Sequence, residues 1–226
     1  MFLDQKNPRV LAIGAHPDDI EIGAGGFVDI LIRKHQGFVE FLVLTEGVQG
    51  VAPDELYNGG LRHEEAINGA GRLGVAPEHV TVMDFPDCQL HNYGHQIIQA
   101  IESHLYDKDG KARFDVVLTH VLGDAHEDHR VVHESTLSAV RHFNGTVLCY
   151  QAPNTKPNCF HPTFFVELDP ESIANKVAAL QEHRSQQFKP FMHVQQTRGL
   201  AANWAQFHRL PEGTYLEAFE IYKSFF

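Results

Sequence analysis

Short apolar runs alternate with amphipathic stretches up to about residue 150, and this alternation predicts the elements of the fold. Continuous apolar runs of this kind are typical of strands buried on both faces, and apolar residues at helical spacing are typical of surface helices. The predicted strands are 10–15, 38–45, 80–83, 114–120 and 146–150. The predicted helices between them are 20–36, 61–73, 94–106 and 130–143. Such alternation favours a parallel sheet with right-handed crossovers.

The pattern loosens after residue 150. Prolines interrupt the next stretch, which indicates a loop at 151–162, followed by a strand at 163–168, a helix at 170–183 and a last strand at 215–222. Within the first part of the chain, the glycine-containing segment 46–60 is longer than an ordinary connection, and such segments often form a lid or a pocket rim.

These elements predict the α/β fold class: a mostly parallel sheet with helices on both faces, plus a C-terminal extension of strand and helix. A chain of 226 residues is long enough to bury the core of one such domain. We therefore expect a single domain over 1–226, with the α/β core at 1–150 and the extension at 151–226.

Composition and charge limit the kinds of partner that we expect the chain to bind. The formal net charge is −11 and no block of Lys or Arg occurs, which argues against nucleic acid, because phosphate neutralisation needs a basic footprint. No apolar run approaches the roughly 18 residues of a membrane span, and the first nine residues are too polar for a secretory signal. Three cysteines without a CxxC pair favour a reducing compartment. We expect a cytoplasmic protein that binds a small molecule. The sequence leaves open whether it forms a homo-oligomer.

A first chemical cluster follows the first strand directly. His16, Pro17, Asp18 and Asp19 stand where ligands bind in open α/β sheets, beyond the carboxyl end of a strand. Two carboxylates and an imidazole are costly to desolvate there unless something compensates them, and a divalent metal would do so. The alternative is a simple turn in which an Asp caps the following helix.

A second cluster favours the metal interpretation. His126, Glu127, Asp128 and His129 also follow an apolar strand, so the two clusters can meet at one edge of the sheet. By contrast, the acids Asp84 and Asp87 after the third strand are interpreted as loop residues and nothing more.

The donor types point to zinc. His16 and Asp19 lie three residues apart at a helix start and can reach one point, and His129 adds a second imidazole. Two imidazoles and one carboxylate suit Zn²⁺ with a fourth position open, where bound water has its pKa lowered to about 7. Asp18 is then free to accept the proton of that water as general base, unless it only caps the helix.

The helper in the second cluster is His126, which can stabilise an oxyanion or protonate a leaving amine, with a carboxylate nearby at Asp128. Spacing alone leaves open the reverse assignment, in which His126 binds the metal and His129 helps. His133 can also pair with His129, but it lies a turn deeper in the helix.

Taken together, these motifs resemble the PIG-L/LmbE-type N-deacetylase family, and the resemblance covers nearly the whole chain. The matching positions are His16-Pro17-Asp18-Asp19, Gly25-Gly26, Arg62 with Glu65, His126-x-Asp128-His129, Arg198-Gly199 and the run from Tyr215 to Phe219. One departure is Glu127, where many members have Pro.

The resemblance implies a Rossmann-like fold and metal-dependent removal of an N-acetyl group from an N-acetylglucosamine-type sugar or sugar conjugate. It implies zinc as the metal, with iron as the alternative, and it implies a role for each motif residue. The implied zinc ligands are His16, Asp19 and His129; Asp18 is the base that activates the zinc-bound water, His126 the electrophilic or acid partner, Asp128 the residue that orients His126, and Arg62 a substrate contact.

Two alternatives remain at this stage. The chain can be an amidase that cleaves a larger acyl or thiol conjugate, or a catalytically retired module that binds metal or sugar. The presence of both Asp18 and His126 favours an enzyme over a retired module. Nothing in the sequence selects one acylated sugar.

Overall fold

The computed structural model describes residues 7–50 and 59–225. Within this part of the chain there are seven strands and six helices, which alternate as far as β5; β6 then follows β5, and α6 follows α5. The strands are β1 (Arg9–Gly14), β2 (Phe38–Val43), β3 (Val80–Val82), β4 (Val116–His120), β5 (Thr146–Tyr150), β6 (Phe164–Leu168) and β7 (Tyr215–Lys223). The helices are α1 (Asp19–His35), α2 (Gly59–Arg72), α3 (Gly94–Leu105), α4 (Glu127–Ala139), α5 (Pro170–Glu182) and α6 (Val194–Phe207).

All seven strands form one sheet in the order β3-β2-β1-β4-β5-β7-β6. The neighbouring strands β3, β2, β1, β4 and β5 pair in parallel. Strand β7 pairs antiparallel with both β5 and β6. The predicted fold class, an α/β protein with a mostly parallel sheet, is confirmed. The strand order reverses between β1 and β4, and the crevice outside the carboxyl ends of these two strands is where such sheets bind ligands.

The core has two layers because the sheet is covered on both faces. Alternate residues of β1 point to opposite sides: Val10 and Ala12 pack in the layer beneath α1, α2 and α5, whereas Leu11 and Ile13 pack in the layer beneath α3 and α4. Every one of these four side chains is fully buried. This explains why β1 reads as a continuous apolar run and not as an alternating one.

Helix α1 lies unusually close to the sheet, which explains one of its glycines. A Cβ on Gly23 would stand 2.1 Å from the ring of Tyr150, so any larger residue would push α1 away from β5. The hydroxyl of Tyr150 in turn donates to the carbonyl oxygen of Ile13 at 2.7 Å. The start of α1 is therefore held firmly over the carboxyl end of β1.

Two helices differ from the prediction. Helix α4 begins at Glu127, whereas the sequence predicted a start at residue 130, because its first turn is polar and its apolar spacing begins only later. Helix α6 was not predicted at all. Its buried positions are the small residues Thr197, Ala201 and Ala205, whereas its larger apolar residues Leu200 and Phe207 are exposed, so its apolar pattern does not mark the buried face.

The segment 46–60 is described only in part, because residues 51–58 lie outside the described ranges. Its first residues include a short 3₁₀ turn at Val48–Gly50. None of the described helices combines the length and the apolar character that crossing a bilayer requires.

Candidate metal centre

The two clusters predicted from the sequence meet at the crevice between β1 and β4. His16 lies in the short connection from β1 to α1, Asp19 is the first residue of α1, and His129 lies in the first turn of α4. Their side chains are almost completely buried. Of the residues that the structure describes, these three form one of three groups whose potential ligand atoms converge.

We call His16, Asp19 and His129 the donor triangle; their ligand atoms lie close together, and Asp19 faces each imidazole with a different carboxylate oxygen. His16 Nδ1 lies 3.3 Å from Asp19 Oδ2, His129 Nε2 lies 3.3 Å from Asp19 Oδ1, and the two imidazole nitrogens are 3.4 Å apart. Ligand atoms of a tetrahedral zinc site, with bonds of about 2.0–2.2 Å, lie about 3.3–3.6 Å apart. Both the donor types and their spacing therefore fit a zinc ion with a fourth position open.

Asp19 is held as an anion by imidazoles. Burial raises its pKa, but the neighbouring His129 and His120 outweigh that effect and hold the pKa well below the usual range. Burial lowers the pKa of His129, yet Asp19 and Asp124 outweigh it and raise the pKa to about 9. The pKa of His16 is likewise well above the usual value, because its contacts with Asp128, Asp19 and Asp87 outweigh burial. Without a metal, both histidines therefore hold protons more strongly than a free imidazole does.

His120, the last residue of β4, belongs to this centre although the sequence analysis did not single it out. Its ring stacks on that of His129 with centroids 4.0 Å apart, and its Nε2 lies 3.2 Å from Asp19 Oδ2. Burial, followed by the charge of His129, lowers its pKa to about 4. A histidine that ends a buried apolar strand was the available signal. His133 faces elsewhere, with its Nδ1 2.7 Å from the carbonyl oxygen of His120.

Asp87, interpreted from the sequence as a plain loop residue, lies against the outer nitrogen of His16. Its Oδ1 is 3.1 Å from His16 Nε2, and its Oδ2 accepts a 2.7 Å hydrogen bond from the backbone N–H of Gln49. A carboxylate on the far nitrogen of a metal-binding histidine orients the ring and strengthens it as a ligand. The interpretation of Asp87 was therefore wrong, because only the fold brings it to His16.

Asp124 lies behind His129 at ion-pair distance, without the hydrogen bond that Asp87 makes to His16. Its Oδ1 lies 3.4 Å from His129 Nδ1 and accepts a 2.7 Å hydrogen bond from the backbone N–H of His126. The side chain is fully buried. Each of the two candidate imidazole ligands thus has a carboxylate behind it, the arrangement that zinc-binding histidines usually show. The only signal in the sequence was an acid between β4 and the second cluster.

His126 occupies the N-cap position of α4 and borders the centre without joining the donor triangle. Its Nδ1 accepts a 3.2 Å hydrogen bond from the backbone N–H of Asp128, so in the neutral ring the proton is on Nε2. Burial lowers its pKa, and the nearby His16 and His129 lower it further. The ring lies 4.7 Å from those of both His16 and His129.

Asp128 is arranged differently from what the resemblance implied. Its carboxylate accepts hydrogen bonds from the backbone N–H groups of Cys88 and Leu90, at 2.7 and 3.2 Å, and its Oδ2 lies 3.3 Å from His16 Nε2. The bond to His126 comes from the main chain of Asp128, not from its carboxylate. The implied orientation of His126 by the Asp128 side chain is therefore corrected: that side chain contacts His16.

Asp18 has an unusual backbone. Its φ is 139°, a region that costs a non-glycine residue about 1–3 kcal/mol. Although it occupies the N-cap position of α1, its side chain makes no capping hydrogen bond, so the simple capping interpretation is wrong. Burial raises its pKa, and Arg62 only partly offsets this effect. A strained, buried carboxylate beside a metal centre is typical of a functional residue.

Arg62, implied as a substrate contact, is only 2 % exposed and is engaged with the protein. Its Nη2 donates to the carbonyl oxygen of Pro17 at 2.8 Å and lies 3.6 Å from Asp18 Oδ2, while its Nη1 lies 3.5 Å from Glu65 Oε2. Gly47, with a φ of 63°, passes so close that a Cβ there would stand 3.0 Å from Nη2.

These residues line a cavity of about 370 Å³. Its lining includes the donor triangle together with Asp18 and His126, and also Pro153, Lys189 and Phe191. Cavities of this size accommodate small ligands.

The fold and this centre define a class: an α/β protein with a histidine–carboxylate cluster at the point where the strand order reverses. The family model described as PIG-L, GlcNAc-PI de-N-acetylase, matches residues 11–140. The chain belongs to this deacetylase family, which confirms the resemblance seen in the motifs. The "Uncharacterized deacetylase YaiS" of Escherichia coli K12 is 32 % identical over 183 residues, which cover 80 % of this chain and 92 % of the relative.

Solved structures share the fold at lower identity. The N,N'-diacetylchitobiose deacetylase from Pyrococcus horikoshii, complexed with its inhibitor MPG, is 20 % identical with a TM-score of 0.72, covering 95 % of this chain and 83 % of that one. GalB, a 4-carboxy-2-hydroxymuconate hydratase from Pseudomonas putida KT2440, is 18 % identical with a TM-score of 0.74, covering 97 % and 98 %. A deacetylase and a hydratase on one fold mean that the reaction must be argued from the site.

Proposed function

We propose that this protein is a zinc-dependent hydrolase that removes the N-acetyl group from an N-acetylglucosamine-type sugar or sugar conjugate. The observation that carries the proposal is the donor triangle of His16, Asp19 and His129, whose contacts with one another are 3.3–3.4 Å, beside the buried carboxylate of Asp18 in one cavity. Membership of the deacetylase family supports the reaction type.

Zinc would be held by His16 Nδ1, Asp19 and His129 Nε2, and when bound it would supply a water of lowered pKa and a positive charge for the amide oxygen. The outer nitrogens of the two histidines face carboxylates, namely Asp87 on His16 and Asp124 on His129. These contacts keep the inner nitrogens aimed at one point. The protein part of the centre is thus oriented before any ligand arrives.

Asp18 is the proposed general base. It lines the cavity, and its environment raises its pKa, so its carboxylate is a better proton acceptor than the neighbouring Asp19. It takes a proton from the attacking water as that water adds to the amide carbon. A proton must then reach the nitrogen of the sugar as the C–N bond breaks, leaving acetate and a free amine.

His126 is the proposed hydrogen-bond donor to the substrate amide. Because its Nδ1 is occupied by the backbone N–H of Asp128, its Nε2 carries the proton of the neutral ring. From there it can donate a hydrogen bond to the amide oxygen as negative charge develops. The proton that the departing nitrogen needs is the one that Asp18 took from the attacking water, which returns Asp18 to its carboxylate form. Its position outside the donor triangle favours this role over that of a ligand.

The test combines metal analysis with an acyl screen. The purified protein should contain zinc, lose activity on chelation and regain it with Zn²⁺, and it should release free amine from N-acetylated sugars. His16→Ala and His129→Ala should each lose zinc and activity, because each removes one of three ligands. His142→Ala makes the same change at an exposed histidine outside the centre and should keep both zinc and activity.

Iron takes the place of zinc in the proposal if the protein purified without added metal contains iron and is active with it. Amine release only from longer N-acyl or thiol conjugates would replace the acetyl assignment. Full zinc occupancy in both histidine variants would contradict the ligand set, and metal binding without amine release from any acylated sugar would leave a retired binding module.

A further inference from the structure

The polypeptide at Asp18 is held from two sides. On the helical side, the carbonyl oxygen of Asp18 accepts a 2.9 Å hydrogen bond from the backbone N–H of Ile22. On the other side, the carbonyl oxygen of Pro17 accepts a 2.8 Å hydrogen bond from Arg62 Nη2. Because the φ of 139° is unfavourable for an aspartate, these two contacts must keep the peptide in place. The guanidinium of Arg62 is thus part of what aims the Asp18 carboxylate.

Arg62 is itself placed by a second carboxylate. The guanidinium is buried, and it lies between two acids at nearly equal distances: 3.6 Å from Asp18 Oδ2 and 3.5 Å from Glu65 Oε2. Glu65 is 3 % exposed. A buried guanidinium with only one acid in reach would be drawn to that acid, because an uncompensated buried charge is costly. Glu65 therefore offsets the pull of Asp18 on Arg62.

Glu65 is fixed in turn by the C-terminal part of the chain. Its Oε1 accepts a 2.7 Å hydrogen bond from the backbone N–H of Ser185, and its Oε2 accepts another of 2.7 Å from the Ser185 hydroxyl. Ser185 lies just after α5 and is buried with Glu65 behind the catalytic cavity. The cavity wall in the described chain includes Asp18 and Arg62 but neither Glu65 nor Ser185.

We propose that Glu65 is a positioning residue for Asp18, acting through Arg62, and that Ser185 holds Glu65 in place. The inference rests on the proposed role of Asp18 as general base. It gives Arg62 a task that contact with substrate does not supply: Arg62 maintains the strained backbone at residues 17–18. It also assigns Ser185, in the segment after α5, a part in the chemistry, although Ser185 does not line the cavity.

The test is a double-mutant cycle with a matched control. Glu65→Gln keeps the size of the side chain and removes its charge, and Glu64→Gln makes the same change at the exposed neighbouring residue of α2. Each is combined with Asp18→Asn. We expect Glu65→Gln to lower kcat about tenfold with KM changed less than about twofold, since only base positioning is lost. In the Asp18→Asn background, the same change should alter kcat by less than about twofold.

A merely structural role predicts otherwise. If Glu65→Gln lowers kcat by the same factor in both backgrounds, or lowers zinc content, the proposal is overturned. Activity of Glu65→Gln equal to that of Glu64→Gln overturns it as well. If Glu65→Gln does not fold, Ser185→Ala takes its place in the cycle: it removes one of the two bonds to Glu65, and the same non-additivity with Asp18→Asn is expected.

The cycle also separates this inference from the proposed function. Wild-type turnover by Asp18→Asn would refute Asp18 as the base, whatever the Glu65 variants do. Slow turnover by Asp18→Asn together with normal turnover by Glu65→Gln would leave the base in place and refute only its positioning by Glu65.

Discussion

Two neighbouring aspartates at the start of α1 face different surroundings. Asp19 lies among imidazoles, with His16, His120 and His129 all within 3.3 Å of its carboxylate. Asp18 has the guanidinium of Arg62 at 3.6 Å. The pKa of Asp19 is well below the usual range, whereas burial raises that of Asp18. Identical side chains, one residue apart, are thus suited to different tasks: one to bind a metal as an anion, the other to take a proton.

The backbone at Asp18 makes this separation possible. Asp19 is already helical and points its carboxylate toward α4, while the φ of 139° at Asp18 turns the preceding peptide toward Arg62. The strain is therefore concentrated at the residue whose direction matters most for the proposed chemistry.

The largest effect should come from exchanging each aspartate for asparagine. Asp19→Asn should lose zinc and with it all measurable turnover, because an amide is a poor ligand for zinc. Asp18→Asn should keep zinc, yet lose about 10²–10⁴ in kcat with KM nearly unchanged, because it removes only the proton acceptor. Metal analysis and steady-state kinetics on both variants check this, with thermal melts to show that each is folded. Equal zinc loss in the two variants would contradict the division of roles.

A smaller effect on kcat is expected from substitution of His126, which lines the cavity close to the imidazoles around Asp19. His126→Ala should keep its zinc and lose about 10² in kcat, the usual result of removing one donor to a developing oxyanion. His129→Ala should instead lose zinc. Zinc content and kcat measured in parallel decide the matter. Loss of zinc from His126→Ala, with retention in His129→Ala, would show that the two roles are reversed.

The smallest expected effect is the number of protons released when zinc binds, which reports only on the histidines around Asp19. In the metal-free protein the pKa of His129 is raised to about 9 and that of His16 also lies well above its usual value, so both carry protons at pH 7. Zinc requires the neutral rings, so its binding should release about two protons and tighten as pH rises toward 9. Calorimetry in buffers of different ionisation enthalpy measures the release, and a binding enthalpy independent of buffer would contradict it.

Local patterns in the chain are enough to predict the architecture as far as residue 150 and the pair of clusters that form the centre. Apolar runs such as that of β1, which becomes a fully buried strand, carry a local signal that does not depend on what packs against them. The spacing of His16 and Asp19 at a helix start is also local. For the same reason, the position of the first cluster at the end of β1 follows from the order of residues along the chain.

Which other residues serve the centre depends on how the elements pack. Asp87 reaches His16 across 71 positions and Ser185 reaches Glu65 across 120, and no pattern within either segment announces the contact. Helix α6 escaped prediction because small residues form its buried face. Asp128 turned to His16 and Arg62 to the backbone of Pro17 because buried charges take the partners that the packed chain offers. Such choices depend on distances between elements, which are set only when the sheet and its two layers of helices come together.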